Sequence, residues 1–238
     1  MPHTRDVWKN LSADKGEIKS MENYKREFIE FLQSANVLKF GDFTAKSGRK
    51  IPYFVNAGEI KTGAQISKLG KFYAKAYFDK LGKKETVLYG PAYKGISIAV
   101  SAAVALAEQG LDVPFFFNRK EAKDHGEGGI FVGYIPKAGE EVVITEDVIT
   151  AGTAIRESMA ILSALEGVKV PAAFVMVDRK EKGKTEKSAM AEVEEEFGFP
   201  VYSVVDVYDI IEYLEEDPAN AENVARIKNY LSVNGAVK

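Results

Sequence analysis

Two adjacent carboxylates, Glu146 and Asp147, stand between a short β-branched run and a turn of small residues. The run Val142 to Ile144 is typical of a strand buried on both faces, and the apolar spacing from Ala154 onward predicts a helix. The acids therefore follow the carboxyl end of a strand, where ligands bind in open α/β sheets. Because burying unpartnered carboxylates is costly, this acid pair indicates a ligand site.

The turn after the acid pair is suited to an anion. It consists of four small residues, Thr150, Ala151, Gly152 and Thr153. Their N–H groups, together with those of the helix that follows, can surround one phosphate. Acids beside a phosphate are unfavourable unless the ligand also carries hydroxyl groups, or becomes positively charged during the reaction. A phosphorylated ribose has both properties.

A second candidate anion-binding loop, Tyr89 to Gly95, follows another predicted strand and opens a helix. Its glycines and proline let the backbone approach a ligand, and Lys94 adds a positive charge. Gly-Pro turns at strand ends are common, so this loop alone is weak evidence. Beside the acid pair, it suits a ligand with phosphate at one end and pyrophosphate at the other.

The stretch Asn118 to Gly129 is charge-dense and ends in glycines, and a charge run of this kind is usually a solvated hairpin tip. Four of its side chains within seven positions are potential cations: Arg119, Lys120, Lys123 and, when protonated, His125. The glycines would let this segment move. A mobile basic lid that closes over a polyanion would exclude water and strengthen each charge interaction.

The remaining pattern predicts an α/β protein. Helical spacing occurs at 22–35, 63–81, 95–108, 187–197, 206–215 and 218–230, and strand patterns occur at 37–45, 51–56, 86–89, 113–117, 142–145, 170–177 and 201–205. Their alternation after residue 86 predicts a doubly wound, mostly parallel sheet flanked by helices. We expect a polar tail over 1–20, whose Trp8 has no assignable role, and a single domain over 21–238. That domain would comprise a small N-terminal hood (21–64), a core (65–206) and C-terminal helices (207–231).

Composition excludes several classes of protein. The chain has 238 residues, of which 46% are hydrophobic and 28% charged, as in ordinary globular proteins. A net charge of −3 argues against nucleic-acid or anionic-membrane partners. Without cysteine, neither disulfides nor thiolate metal sites are available. No apolar run is long enough to span a membrane and the first residues are unlike a transit peptide, so we expect a cytoplasmic protein.

The acid pair with its Thr-Ala-Gly-Thr turn resembles the 5-phosphoribosyl-1-pyrophosphate (PRPP) motif of the type I phosphoribosyltransferases. The stretch Asn118 to Gly129 is similar, nearly letter for letter, to the catalytic loop of the orotate phosphoribosyltransferase family in its bacterial and fungal form. The likeness extends over Lys39 to Ala57, the Gly-Pro-Ala-Tyr-Lys-Gly loop and Asp178-Arg179. It implies the type I phosphoribosyltransferase fold and Mg²⁺-dependent transfer of phosphoribosyl from PRPP to orotate, in pyrimidine biosynthesis.

The resemblance also implies a role for individual residues. The catalytic residues would be Lys123, His125, Glu146 and Asp147. The PRPP-binding residues would be Lys46, Tyr93, Lys94, Arg119, Lys120, Lys123, His125, Glu146, Asp147, Val148, Ile149, Thr150, Ala151, Gly152, Thr153 and Ala154. The orotate-binding residues would be Phe54, Val55, Thr150 and Arg179. Mg²⁺ would be held mainly by PRPP oxygens, with no certain protein ligand, and a homodimer would place the loop 119–129 in the neighbouring subunit's site.

One departure and two alternatives stay open. Many family members have two aspartates where this chain has Glu146 and Asp147, so the ribose contact through Glu146 could be longer or indirect. A transferase for adenine or xanthine would keep the PRPP motif but lack the basic lid and Arg179. A regulator that only senses PRPP is the other alternative, and we would expect such a protein to have a nucleic-acid-binding face.

Overall fold

The computed structural model describes residues 21–45, 48–123, 129–149 and 152–236, without the side chains of Ala122 and Lys123. The polar tail with Trp8 lies outside these ranges. The described chain begins with helix α1 (Asn23–Ser34) and an antiparallel hairpin of β1 (Leu38–Thr44) and β2 (Lys50–Val55). The helix and the two strands that the sequence predicts for this part of the chain are therefore present in the structure.

In the described part of the chain, the central sheet has seven strands. They are β3 (Val87–Gly90), β4 (Phe115–Lys123), β5 (Gly129–Gly133), β6 (Glu141–Thr145), β7 (Val148–Ile149), β8 (Lys169–Asp178) and β9 (Val201–Asp206). Their order is β5-β4-β3-β6-β8, with β7 and β9 both paired to β8. Among these strands only β5 is antiparallel to its neighbour. The mostly parallel sheet is confirmed.

The helices cover both faces of the sheet. They are α2 (Gly63–Leu81), α3 (Lys94–Glu108), α4 (Thr153–Leu162), α5 (Ala189–Phe197), α6 (Val207–Glu215) and α7 (Ala221–Asn234), with short 3-10 turns at Ala57–Glu59 and Pro218–Asn220. Successive strand residues point to opposite faces. Val87 and Tyr89 pack in a core with α4 and α5, whereas Leu88 packs in a second core with α1, α2, α3, α6 and α7. This arrangement confirms the doubly wound fold.

The structure differs from the sequence prediction around the basic lid. Strand β4 continues to Lys123, six residues beyond the predicted end at Phe117, and pairs with β5, which was not predicted. The short strand β7 was not predicted either. The extension of β4 consists mostly of polar residues, and β5 has only three consecutive apolar residues between two glycines, so neither segment shows the apolar alternation by which a strand is recognised. Across the described residues, no helix has the length and apolar character needed to cross a membrane.

Candidate active site

The acid pair lies where two loops meet at one edge of the sheet. Strand β6 ends at Thr145, directly before Glu146, and its parallel neighbour β3 ends at Gly90, before the loop that opens α3. The Lys94 ammonium at the start of α3 lies 2.7 Å from Asp147 Oδ2. The structure therefore brings together the acid pair and the second candidate anion loop, as the sequence predicts.

Glu146 is buried at this edge, with only 8% of its surface exposed. Its carboxylate accepts a hydrogen bond of 2.9 Å from the Asp147 N–H. From helix α2, the Tyr73 hydroxyl donates to the Glu146 carbonyl oxygen at 2.6 Å, which fixes the backbone of the acid pair. Burial, followed by the nearby charge of Asp147, raises the pKa of Glu146 to about 8, although the Asp147 N–H and Lys94 oppose the shift. Near neutral pH the unliganded site therefore favours a protonated Glu146.

A cavity of about 270 Å³ opens between the acid pair and the start of α4. Six of the predicted PRPP residues line it: Glu146, Val148, Ile149, Gly152, Thr153 and Ala154. Gly152 precedes the helix with φ +72°, and a Cβ there would lie 2.7 Å from Val193 Cγ2. Because glycine has no side chain to cap the helix, the first N–H groups of α4 are available to an anion in the cavity.

Strand β4 is tied to the second anion loop by Asn118. The buried Asn118 Oδ1 accepts hydrogen bonds from the Tyr89 hydroxyl at 2.7 Å and from the Ala92 N–H at 3.1 Å. The adjacent Ala92–Tyr93 peptide is cis. The loop that carries Tyr93 and the strand that carries the lid cations are therefore fixed relative to each other.

The two lid cations whose side chains are described are engaged within the chain. Arg119 donates from Nη1 to the carbonyl oxygens of Gly129 and Phe131, at 3.3 and 3.4 Å. The Lys120 ammonium lies 4.8 Å from the centre of the Tyr93 ring, which is 69% exposed. A cation above an exposed aromatic ring gains about 0.5–1 kcal/mol, so an anionic ligand can compete for Lys120.

The predicted orotate residues lie in the hood and after β8. Phe54 is 37% exposed and stacks on Phe43 with ring centres 5.5 Å apart, and Val55 is half-buried. By default an arginine such as Arg179 would form a surface ion pair, but this one is only 8% exposed. Its guanidinium carbon lies 4.8 Å from the centre of the Tyr53 ring. Arg179 is thus a buried cation beside the hood strand β2.

Glu181 links Arg179 to a second arginine. Arg179 Nη2 lies 2.6 Å from Glu181 Oε1, and Arg49 Nη1 lies 3.5 Å from Glu181 Oε2. Two guanidinium groups thus share one carboxylate, and these three side chains together carry one net positive charge. A planar monoanion that carries a carboxylate would neutralise that charge.

Several predicted site residues cannot be placed. Lys46, His125, Thr150 and Ala151 lie outside the described residues, and for Lys123 only the backbone position in β4 is described. The roles assigned to the placed residues stay predictions. Sequence reasoning also missed Tyr73, Asn118 and Glu181. Tyr73 lies in the predicted helix 63–81, but helical spacing predicts the burial of a side chain and not the partner of its hydroxyl group.

Comparison with known proteins identifies the relatives of this chain. A sequence model described as the phosphoribosyl transferase domain matches residues 56–205. Orotate phosphoribosyltransferase from Shigella flexneri is 53% identical over 211 residues, which cover 88% of this chain and 97% of the relative. The enzyme of the same name from Escherichia coli (strain K12 / DH10B) gives the same identity and coverage. Among solved structures, an orotate phosphoribosyltransferase from Francisella tularensis is similar with a TM-score of 0.78 and 37% identity, covering 88% of this chain and 100% of that one.

We expect Glu146→Gln to raise the melting temperature, with a gain that grows from pH 5 to pH 8. Folding raises the pKa of Glu146 above the ordinary 4.5, so its ionisation opposes folding as pH rises between these values. The cost is about 1.4 kcal/mol per pKa unit, and each kcal/mol corresponds to roughly 2–4 °C in a chain of this size. Thermal unfolding of both proteins across this pH range tests the expectation.

The comparison isolates Glu146, because Asp147, Lys94 and Tyr73 remain in both proteins. Glu157→Gln is the control, since Glu157 also lines the cavity but lies on α4, where it is exposed. A gain in melting temperature that is equal at pH 5 and pH 8, or no gain, would contradict the burial of an ionisable Glu146.

Proposed function

The chain belongs to the orotate phosphoribosyltransferase family, and from this premise we propose how its residues carry out the reaction. The protein transfers the phosphoribosyl group of PRPP to N1 of orotate, giving orotidine 5'-monophosphate and pyrophosphate, in pyrimidine biosynthesis. The observation that carries this conclusion is 53% identity over 88% of the chain to a relative of that name. PRPP and orotate are its small-molecule substrates.

We propose that the cavity at the start of α4 binds the phosphoribosyl group. The 5'-phosphate would lie against the N–H groups of Gly152, Thr153 and Ala154, where the helix dipole favours negative charge. The ribose hydroxyls would donate to Glu146 and Asp147. Support comes from the burial of Glu146, because hydroxyl donors stabilise its ionised form and release its proton.

The acid pair would then act on the transition state. Breaking the bond between the anomeric carbon and pyrophosphate produces an oxocarbenium-like sugar, as in glycoside hydrolysis. Two carboxylates on the ribose hydroxyls place negative charge beside this cation in a site of low dielectric constant. We therefore propose that the acid pair binds the ribose of PRPP in the ground state and stabilises its cationic transition state more strongly.

The pyrophosphate would be held by the second loop and the lid. Lys94 now pairs with Asp147, and ribose hydroxyls that engage Asp147 would free this ammonium for the leaving group. Arg119 and Lys120 would exchange their contacts within the chain for a pyrophosphate group. We assign the remaining positive charge to Lys123 and His125. Together these cations neutralise the charge that develops on the leaving oxygen.

Mg²⁺ fits this site as an ion held mainly by the substrate. The described residues contain no group of three or more potential metal ligands, while Asp147 offers a hard carboxylate oxygen next to Glu146. Magnesium commonly takes one or two carboxylates plus substrate phosphate oxygens. When bound, it would neutralise pyrophosphate as a Lewis acid.

The base would bind between the hood and the loop after β8. Arg179 presents a planar fork that matches a carboxylate, and the one net positive charge that it shares with Arg49 and Glu181 favours anionic orotate over neutral uracil. Phe54 would cover one side of the ring, supported by its stacking on Phe43, and Val55 would line the pocket. Adenine and xanthine have no carboxylate that would bind this positive charge. The charge therefore disfavours an adenine or xanthine transferase.

We further propose a homodimer in the cytoplasm, in which residues 119–129 reach the neighbouring subunit's site. Support comes from β4 and β5, which place both ends of the lid segment at the edge of the sheet. A cysteine-free chain suits a reducing compartment. The division into a tail, a hood, a core and C-terminal helices also stays a proposal. The net charge of −3 disfavours the alternative of a nucleic-acid-binding regulator.

We expect pyrophosphate release from PRPP to require orotate, with no turnover on uracil, adenine or xanthine. Arg179→Ala should raise the KM for orotate roughly ten- to a hundredfold, because a hydrogen bond to a charged group contributes about 1.5–3 kcal/mol. Arg26→Ala is the matched control, since Arg26 forms an exposed ion pair with Glu216, the residue that follows α6. Turnover with a purine would contradict the assigned base, and tight PRPP binding without any turnover would favour the sensor.

We expect Lys123→Ala to lower turnover at least tenfold without unfolding the protein, because losing one electrostatic donor costs about 2.7–4 kcal/mol. Asp147→Asn should lower it as well. If the lid acts across the dimer, mixing the two variants under subunit exchange restores about a quarter of the wild-type sites. Activity of the mixture no higher than the mean of the two variants would contradict the shared site, and near-normal turnover of Lys123→Ala would contradict the role of the lid.

A further inference from the structure

The loop that carries Arg179 is fastened by the last described residues of the chain. The Lys182 N–H donates to the Asn234 carbonyl oxygen at 3.0 Å, and the Ala236 N–H donates to the Lys180 carbonyl oxygen at 2.8 Å. Glu181 and Gly235 accordingly form an isolated antiparallel bridge. We call residues 234–236 the strap. Its backbone pairs with the loop that directly follows strand β8.

Side chains converge on the same place. Arg179 pairs with Glu181, which also contacts Arg49 of the hood. Arg49 Nη1 in turn lies 3.5 Å from the hydroxyl of Tyr230 on α7. The helix that leads into the strap therefore contacts the same ion cluster as the strap's partner loop.

The loop has a local reason to need support. Lys180, next to Arg179, has φ +51°, a left-handed conformation that is unfavourable for a residue with a side chain. Its N–H donates to Asp178 Oδ1 at 2.8 Å, and its ammonium lies 2.7 Å from Asp178 Oδ2. Such conformations persist only where surrounding contacts hold them. The strap binds the carbonyl of this same residue.

Packing of the hydrophobic core does not account for the strap. Helix α7 is anchored by its buried residues Val224, Ile227, Tyr230 and Leu231. By contrast, Asn234, Gly235 and Ala236 are only half-buried, and their contacts with the loop are made by backbone atoms. The helix would thus remain attached without the strap, whereas the loop 180–182 would lose two hydrogen bonds.

We propose that the strap is a positioning segment for the base site: it holds the loop 180–182, and through Glu181 the guanidinium of Arg179, in the place that receives the carboxylate of orotate. The inference rests on the proposed role of Arg179. It assigns to the C-terminal segment an effect on one substrate, orotate, and none on PRPP, whose site lies at β6 and α4.

Ala236→Pro tests this proposal with the smallest change. Proline removes the N–H that donates to Lys180, and the preceding Gly235, at φ −69° and ψ 144°, already has the conformation that a residue before proline prefers. We expect the KM for orotate to rise about two- to tenfold, as for the loss of one hydrogen bond, with the KM for PRPP unchanged and the melting temperature lowered by no more than roughly 2–4 °C per kcal/mol lost. Deleting 234–238 should give a larger rise, and deleting only 237–238 should give none.

Hydrogen exchange and a double-mutant cycle distinguish failure of the strap proposal from failure of the proposed contact between Arg179 and orotate. Exchange of the Lys182 amide should accelerate on deletion of 234–238, and that deletion should add little to Arg179→Ala, because both act through one side chain. A rise in both KM values by the same factor, or an unchanged KM for orotate while Arg179→Ala raises it, would overturn the strap alone. An unchanged KM for orotate in Arg179→Ala would overturn the proposed orotate contact, and the strap's role with it.

Discussion

The site depends on one unfavourable interaction, the burial of Glu146 at the carboxyl end of β6. The surrounding sheet and helices remove this carboxyl group from water and raise its pKa, so the unliganded protein stabilises the protonated form. A ribose that donates its hydroxyls to the acid pair would restore the ionised form. In the proposed mechanism, stability lost through this burial would become differential affinity for substrate and, more strongly, for a cationic transition state.

The fold places the buried Glu146 beside the two loops that we propose as anion sites. Parallel pairing of β3 and β6 brings their following loops to one edge, and close packing between those loops requires glycine. A Cβ on Gly95 would lie 2.5 Å from Pro91 Cδ and 2.8 Å from the Thr145 carbonyl oxygen. Asn118 links β4 to the loop after β3, because its amide oxygen accepts hydrogen bonds from the Tyr89 hydroxyl and the Ala92 N–H. The backbone segments that carry the cations of the lid strand and of α3 are therefore held in place relative to each other.

The sequence was sufficient for the elements with strong periodicity. Helix α2 occupies the predicted residues Gly63–Leu81, and the acid pair follows a buried strand as predicted, because the β-branched run Val142 to Ile144 indicates such a strand. The extension of β4 was missed because its residues are mostly polar, and the edge strand β5 was missed because three apolar residues between glycines are too short a run to show alternation. The burial of Arg179 could not be predicted from the sequence either. It depends on Tyr53, which is distant along the chain, and on Glu181, an acid in a charged stretch with no pattern that predicts its partner. Long-range hydrogen bonds such as that from Tyr73 to Glu146 leave no local pattern.

The most direct test is a titration of the Glu146 side chain by NMR, with the glutamate carboxyl carbons labelled and the Glu146→Gln variant used to assign the resonance. The account predicts a pKa near 8 in the free protein and a clear fall when PRPP binds, because ribose hydroxyls favour the carboxylate. A free-protein pKa near the ordinary 4.5, or a pKa that PRPP leaves unchanged, would contradict the claim that a buried acid pair is the ribose site.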